Sequence, residues 1–204
     1  MTARKEILEQ FGGAFDVVAI AASAGGLKAI IKVLSGLPEN FPASIVVVQH
    51  LDPRHRSLMA DILARKTSLT VKEAEEGERL AKSTIYIAKP DRHLLVNPDG
   101  SLSLTSSELV HFVRPSADLL FESVAASYRD RAIAVVLSGS GSDGAMGAQA
   151  IKKTGGTVIV QENAEFTGMP EAAINAADVD FVLPLDEIAP ALVTLVVEAK
   201  GDKH

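Results

Sequence analysis

The sequence predicts an α/β fold, a doubly wound, mostly parallel sheet with helices on both faces. Three observations carry that expectation. Short apolar runs of strand type alternate with stretches whose apolar residues recur at helical spacing. Several of the runs, such as Ser44-Ile45-Val46-Val47-Val48-Gln49, are apolar at consecutive positions, as strands buried on both faces are. Glycine-rich turns join strand to helix at Ala22-Ser23-Ala24-Gly25-Gly26 and at Gly139-Ser140-Gly141-Ser142-Asp143-Gly144.

Taken in order, residues 1–15 read as a lead-in ending at Gly12-Gly13. A strand over 16–21 passes through a small-residue turn into a helix over 25–35. There Leu27, Ile30, Ile31 and Leu34 share one face and Gly36 stands as the C-cap. The strand over 44–49 ends at His50, and the loop Leu51-Asp52-Pro53-Arg54-His55-Arg56 leads to a helix near 57–66. Segments 69–73, 83–88, 93–97 and 101–105 are short and β-rich. Asn97-Pro98-Asp99-Gly100 joins the last two as a hairpin. The stretch over about 69–105 therefore reads as a short antiparallel insertion or an extension of the sheet. A helix follows from Ser116 to about Arg129, with Pro115 fixing its start and Leu120, Val124 and Tyr128 on one face. The strand over 132–138 runs into the second glycine-rich turn and a helix to Lys153, stopped by Gly155-Gly156. A strand over 157–161, a helix near 170–177 opened by Pro170, a strand over 180–183 and a helix near 187–199 complete a single domain over 16–199. Residues 200–204 form a tail.

Composition narrows the function. The chain has 204 residues, 47% of them apolar, enough for a full core. A net charge of −6 speaks against a nucleic-acid partner, and the absence of Trp against a base-stacking surface. The absence of Cys rules out disulfides and thiolate chemistry. No apolar run is long enough to cross a bilayer and residues 1–15 lack a signal-peptide core, so a cytoplasmic location is expected.

Ligand crevices of such sheets lie outside the carboxyl ends of the strands. Ser23, His50 and Asp143 each follow such an end, which directs all three to one edge. A serine hydroxyl needs a base within hydrogen-bond reach and a third group to orient that base. Ser23 would be the nucleophile, His50 the base and Asp143 the orienting acid. The backbone N–H of Ala24, with that of Ser140 as a second donor, would hold a tetrahedral oxyanion. Each residue also has a plain structural alternative. Ser23 and Asp143 could cap helices, and His50 could be a core histidine at a strand end.

Ala21-Ala22-Ser23-Ala24-Gly25-Gly26, Val47-Val48-Gln49-His50 and Leu137-Ser138-Gly139-Ser140-Gly141-Ser142-Asp143-Gly144-Ala145 together resemble the catalytic domain of the CheB family, the chemotaxis protein-glutamate methylesterases. Val71–Glu78, Tyr86-Ile87-Ala88, Arg114–Phe121 and Gly168–Ile174 extend the resemblance to about residues 16–199. It implies the same three roles for Ser23, His50 and Asp143, with no metal and no cofactor. It implies hydrolysis of glutamate γ-methyl esters on the cytoplasmic helices of methyl-accepting chemotaxis receptors, releasing methanol, and deamidation of receptor glutamines by the same acyl chemistry. Gly25, Arg114 and Met169 are then expected near the substrate, with a structural role the alternative for Arg114. The sequence departs from the family where Ala21 replaces a Gly, Ala24 a Thr and Ser140 a Met; the last bears on substrate preference. Only 15 residues precede the first strand, too few for the receiver domain that family members generally carry. That leaves an excised catalytic domain or an enzyme with a regulator in trans.

Three rival readings remain, one of them a non-catalytic binding module on the same fold, against which the retained Ser23, His50 and Asp143 argue. Gly139–Gly144 satisfies the dinucleotide fingerprint G-x-G-x-x-G, and Glu162 lies where a ribose-binding acid would stand. His50, Asp52 and His55 have a loose metal-ligand spacing. Arg54 and Arg56 read as solvated, with contact to an acidic receptor helix as the functional alternative.

Overall fold

A computed structural model describes residues 16–50 and 58–198. The lead-in 1–15, the loop with Asp52, Arg54, His55 and Arg56, and the tail 200–204 lie outside the described residues.

Among the described residues nine strands and six α-helices follow one another as β1 (Val17–Ala22), α1 (Gly26–Ser35), β2 (Ser44–Gln49), α2 (Met59–Ala64), β3 (Thr70–Glu73), β4 (Thr84–Ile87), β5 (His93–Val96), β6 (Leu102–Thr105), α3 (Ala117–Tyr128), β7 (Ala132–Val136), α4 (Ala145–Lys153), β8 (Thr157–Gln161), α5 (Gly168–Ala176), β9 (Phe181–Leu183) and α6 (Leu185–Val193). A π-helical turn, Thr194–Glu198, extends α6. The seven-stranded sheet has the order β3-β4-β2-β1-β7-β8-β9, and every pairing in it is parallel. From β1 the chain passes to β2, on to the edge at β3 and back in to β4; it then returns beside β1 as β7 and moves outward in the other direction. The reversal between β1 and β7 is a topological switch point, where such sheets open a crevice.

Side chains alternate across each strand, so each face has its own core. Val18, Ile20 and Ala22 of β1 pack with Ile30 and Val33 of α1, Leu63 of α2 and Ile188 and Leu192 of α6. Val17, Ala19 and Ala21 face the other way, to Leu120, Phe121 and Val124 of α3, Ile151 of α4 and Met169 of α5. All six residues of β1 and of β2 are buried, which is why both read as continuous apolar runs.

The stretch 69–105 divides in two. β3 and β4 extend the main sheet in parallel, and only β5 and β6 form an antiparallel hairpin. The antiparallel strands are thus β5 and β6, with one isolated antiparallel bridge from Arg79 to Ser101 beside them. A two-strand hairpin needs a tight turn, which 97–100 supplies through Gly100 N–H donating to the Asn97 carbonyl at 2.9 Å. No such turn joins β3 to β4. The intervening loop instead crosses to the hairpin, where Gly77 N–H meets Leu102 O at 2.8 Å and Leu102 N–H meets Glu78 O at 2.7 Å. α5 starts at Gly168, so Met169 lies inside its first turn rather than ahead of it.

Candidate active site

β1 and β2 run in register with Ala22 opposite Gln49, and the pairing continues as His50 N–H donates to Ala22 O at 3.1 Å. Ser23 and His50 are thus the next residues on two adjacent strands, about 4.8 Å apart by sheet spacing. Alternation puts Ser23 in line with Val17, Ala19 and Ala21, and His50 in line with Val46 and Val48, all on the face that carries α3 and α4. From that face comes the acid. Asp143 Oδ2 lies 2.8 Å from His50 Nε2. With Nε2–H donating to the carboxylate, Nδ1 is the basic nitrogen of the ring. Neither Nδ1 nor the Ser23 hydroxyl has a hydrogen-bond partner among the described residues.

Asp143 is 3% exposed and fully engaged. It sits at the start of α3, accepting from Ala117 N–H at 2.6 Å, Asp118 N–H at 3.1 Å and the Ser116 hydroxyl at 2.8 Å. Burial pushes its carboxyl pKa up. The hydrogen bonds from His50, the two backbone amides and Ser116 outweigh that and hold it below the usual carboxylate value. Asp143 is therefore a fixed anion, suited to orienting an imidazole and stabilising its protonated form. Ser116 is also the N-cap of α3. Its own N–H donates to His93 Nδ1 at 3.1 Å, which fixes the proton of this buried histidine on Nε2, donated to Glu108 O at 3.0 Å.

The serine turn is shaped by close approaches. Gly25 has φ +70°, and a Cβ there would stand 2.9 Å from Ser138 Oγ and 3.1 Å from the Phe166 ring. Left-handed backbone and lack of room both require glycine. Ser138, at the end of β7, is the hub of this turn. Its carbonyl accepts Ser23 N–H at 3.0 Å, and its hydroxyl donates to Ala24 O at 2.9 Å while accepting Phe166 N–H at 3.1 Å. Its own N–H donates to Gln161 Oε1 at 2.9 Å. On the other side the Gln49 amide donates to Ser23 O at 2.7 Å and to His50 O at 3.1 Å, one side chain clamping both backbones.

The remaining expected residues separate. Ala24 is half-buried and Ser140 exposed, and the N–H of each has no internal acceptor among the described residues. Met169 is fully buried, and its N–H donates to Gly139 O at 2.8 Å. Its thioether fills the space that a side chain on Gly139 would need, so Met169 supports the glycine-rich turn from beneath. Arg114 spends its guanidinium on Asp91 Oδ1, at 2.9 and 2.6 Å, and on the carbonyls of Ser106 and Ser107, at 3.0 and 2.7 Å. This is the structural alternative: it ties two loops together.

Asp118, which sequence reasoning missed, decides the dinucleotide rival. Its Oδ1 accepts Gly144 N–H at 3.0 Å and Gly147 N–H at 2.7 Å. Those amides at the start of α4 are the donors a pyrophosphate would use, and a buried carboxylate already holds them. Its Oδ2 faces His111 Nε2 at 3.1 Å, close enough to pair but not aligned as a hydrogen bond. Burial first, and the neighbouring Asp143 charge with it, push the Asp118 carboxyl up despite those amides. Ser116, Asp118, Gln49 and Ser138 carry little sequence signal. Ser116 could be foreseen as a helix cap, but nothing in a cap announces a bond to a carboxylate 27 residues away.

A parallel α/β sheet with a serine, a histidine–aspartate pair and free backbone donors at its switch point has the architecture of a hydrolase. Comparison with known proteins agrees. The family model described as CheB methylesterase matches residues 18–192. A Leptospira interrogans relative, provisionally named protein-glutamate methylesterase/protein-glutamine glutaminase, is 40% identical over 183 residues, covering 89% of this chain and 95% of that protein. The protein-glutamate methylesterase FrzG of Myxococcus xanthus is 41% identical over 184 residues, covering 89% of this chain and 55% of FrzG. The chain thus spans about half the length of that relative. The crystal structure of the Thermotoga maritima CheB methylesterase catalytic domain superposes with a TM-score of 0.86 at 38% identity, covering 90% of this chain and all of that one. This chain belongs to the CheB methylesterase family, a family of hydrolases.

Proposed function

We propose that this chain hydrolyses glutamate γ-methyl esters on the cytoplasmic helices of chemotaxis receptors by a Ser-His-Asp mechanism. The observation that carries the reading is the 2.8 Å His50–Asp143 pair, one strand from Ser23 on the same face of the sheet.

His50 Nδ1 takes the Ser23 proton as Oγ attacks the ester carbonyl. The imidazolium is stabilised by the ionised Asp143 across Nε2–H. The tetrahedral oxyanion accepts from the N–H of Ala24 and of Ser140, both without an internal acceptor among the described residues. Collapse breaks the bond to the methoxy oxygen, which takes the proton from His50 and leaves as methanol. Water then gives a proton to His50 and its oxygen to the acyl carbon. That releases the glutamate carboxylate and returns the proton to Ser23. A glutamine side chain would pass through the same acyl-enzyme with ammonia as leaving group.

The partner is a protein substrate in the cytoplasm. None of the described helices is long and apolar enough to cross a membrane.

Methanol release from a methylated receptor tests the reading. The wild-type chain should release it and Ser23→Ala should not, with an unchanged melting temperature. Equal release by both would remove Ser23 from the mechanism. Stabilisation by NAD(P) with no methanol from either would replace the reading.

A further inference from the structure

Residues 109–113 form a tight turn outside the catalytic machinery. Val110 and Val113 exchange two backbone hydrogen bonds, at 3.2 and 2.9 Å, across an isolated antiparallel bridge. The two residues between them, His111 and Phe112, have φ of +49° and +64°. Such turns ordinarily carry Asn-Gly, because left-handed backbone disfavours larger side chains. Here it holds a phenylalanine out into solvent, 94% exposed, with Leu109 54% exposed beside it.

The turn is fastened to the active site. His111 Nε2 pairs with Asp118 Oδ2, and the other oxygen of that carboxylate holds Gly147 N–H in the first turn of α4. One carboxylate therefore joins the 109–113 turn to the first turn of α4, where Met146 precedes Gly147 and is 53% exposed. Both flank the loop bearing Asp143. Across the mouth, Phe166 is 41% exposed next to Gly25 of the serine turn. Single exposed apolar residues are ordinary on a protein surface. Three that bracket one reactive edge make a rim for a large partner, since a small ligand is held inside a concavity. A net charge of −6 gives this chain no long-range attraction to an acidic partner, which leaves a larger share of the contact to apolar packing at the rim.

We propose that the 109–113 turn, with Phe112 at its tip, together with Met146 in the first turn of α4, is the seat for the protein substrate. An apolar side chain of the substrate packs on Phe112 and Met146 while the ester-bearing side chain reaches Ser23. On a helical substrate that apolar residue lies three or four positions from the esterified glutamate, where neighbours on one face are about 5–6 Å apart. The proposal rests on the methylesterase reading above.

The test compares wild type, Phe112→Ser and Phe112→Trp on two substrates, a methylated receptor and p-nitrophenyl acetate. Truncating a packed aromatic anchor should raise KM for the receptor about tenfold or more. kcat and p-nitrophenyl acetate hydrolysis should stay unchanged, and Phe112→Trp should restore the receptor KM. An unchanged receptor KM in Phe112→Ser overturns the proposal, as does an equal loss on both substrates. A wild-type dimer that Phe112→Ser dissociates, with the receptor KM unmoved, assigns the turn to a second copy instead. If the wild type cleaves p-nitrophenyl acetate but releases no methanol from the receptor, the methylesterase reading falls and takes the proposed occupant with it.

Discussion

Asp143 and Asp118 each cap the helix at whose start the other stands. Asp143, two residues ahead of α4, takes the N–H groups of Ala117 and Asp118 at the start of α3. Asp118, in the first turn of α3, takes the N–H groups of Gly144 and Gly147 at the start of α4. Helix N-termini carry partial positive charge, so the exchange gives two neighbouring carboxylates separate sources of stabilisation and locks α3 to α4. The acid that orients His50 therefore owes its position to a pair of helices rather than to its own loop.

Removing one side of this exchange should cost stability according to what is left unpaired. Asp118→Ala strips Gly144 and Gly147 of their acceptor inside the protein, and leaving buried donors unsatisfied costs about 1–3 kcal/mol. Asp118→Asn keeps an oxygen at Oδ1 and should cost clearly less. Urea denaturation of the two variants checks this; an Asp118→Ala protein as stable as wild type would show that the caps are dispensable.

The two acids should leave opposite marks on the pH dependence of stability. The Asp143 carboxyl is held below its usual value, so its ionised form favours the fold. That contribution is complete above the ordinary carboxylate pKa of about 3.9 and is lost as pH falls through the lower folded value. The Asp118 carboxyl is raised, foremost by burial, so its ionised form opposes the fold. That cost is absent in acid and grows as pH rises from the ordinary value through the raised one. Melting temperatures of Asp143→Asn should therefore fall less steeply than wild type on acidification. Those of Asp118→Asn should lose the component that declines with rising pH. Parallel curves for all three proteins would contradict both assignments.

Gln49 should matter to catalysis without touching the ester. Its amide holds the carbonyls of Ser23 and His50 together. Small displacements of reacting groups are expensive, about a hundredfold in rate for 1 Å. Gln49→Ala should lower kcat for ester hydrolysis by about tenfold or more on that scale, with little change in KM. Gln49→Glu should be worse, because an ionised carboxylate would face two carbonyl oxygens with nothing to donate. Wild-type kcat in Gln49→Glu would dismiss the clamp.

The sheet was legible because its strands are buried on both faces and so are apolar without interruption, and because Gly36 and Gly155-Gly156 mark helix ends. Ser23, His50 and Asp143 could be directed to one edge because each follows the carboxyl end of a strand. The reach of β3 and β4 into the parallel sheet was hidden by their length, four residues each, too short for a pattern to separate parallel from antiparallel pairing. The supporting shell was hidden for a different reason. Asp118 and Ser138, and Gln49 in its bond to Ser23, act through hydrogen bonds to backbone distant in sequence, and such bonds leave no periodicity to read. The structural role of Arg114 was open for the same reason, its four hydrogen bonds all going to acceptors that only the fold assembles around it.

Gly139 offers a test of how tightly the serine turn and the acid loop are packed. An added Cβ would lie 3.0 Å from Ser23 Cβ and would meet the Met169 thioether still more closely. Met169 is fully buried and cannot swing into solvent. Overpacking of this kind costs about 1–3 kcal/mol, and relief requires backbone movement. Whichever way the turn yields, Ser23 or the segment carrying Asp143 must shift, so activity should fall along with stability. Met169→Ala added to Gly139→Ala vacates the space on the thioether side and should return part of the stability. The crowding of Ser23 Cβ remains, so kcat should recover less than the melting temperature does. A double variant no more stable than Gly139→Ala would mean that the thioether is not what the added methyl meets.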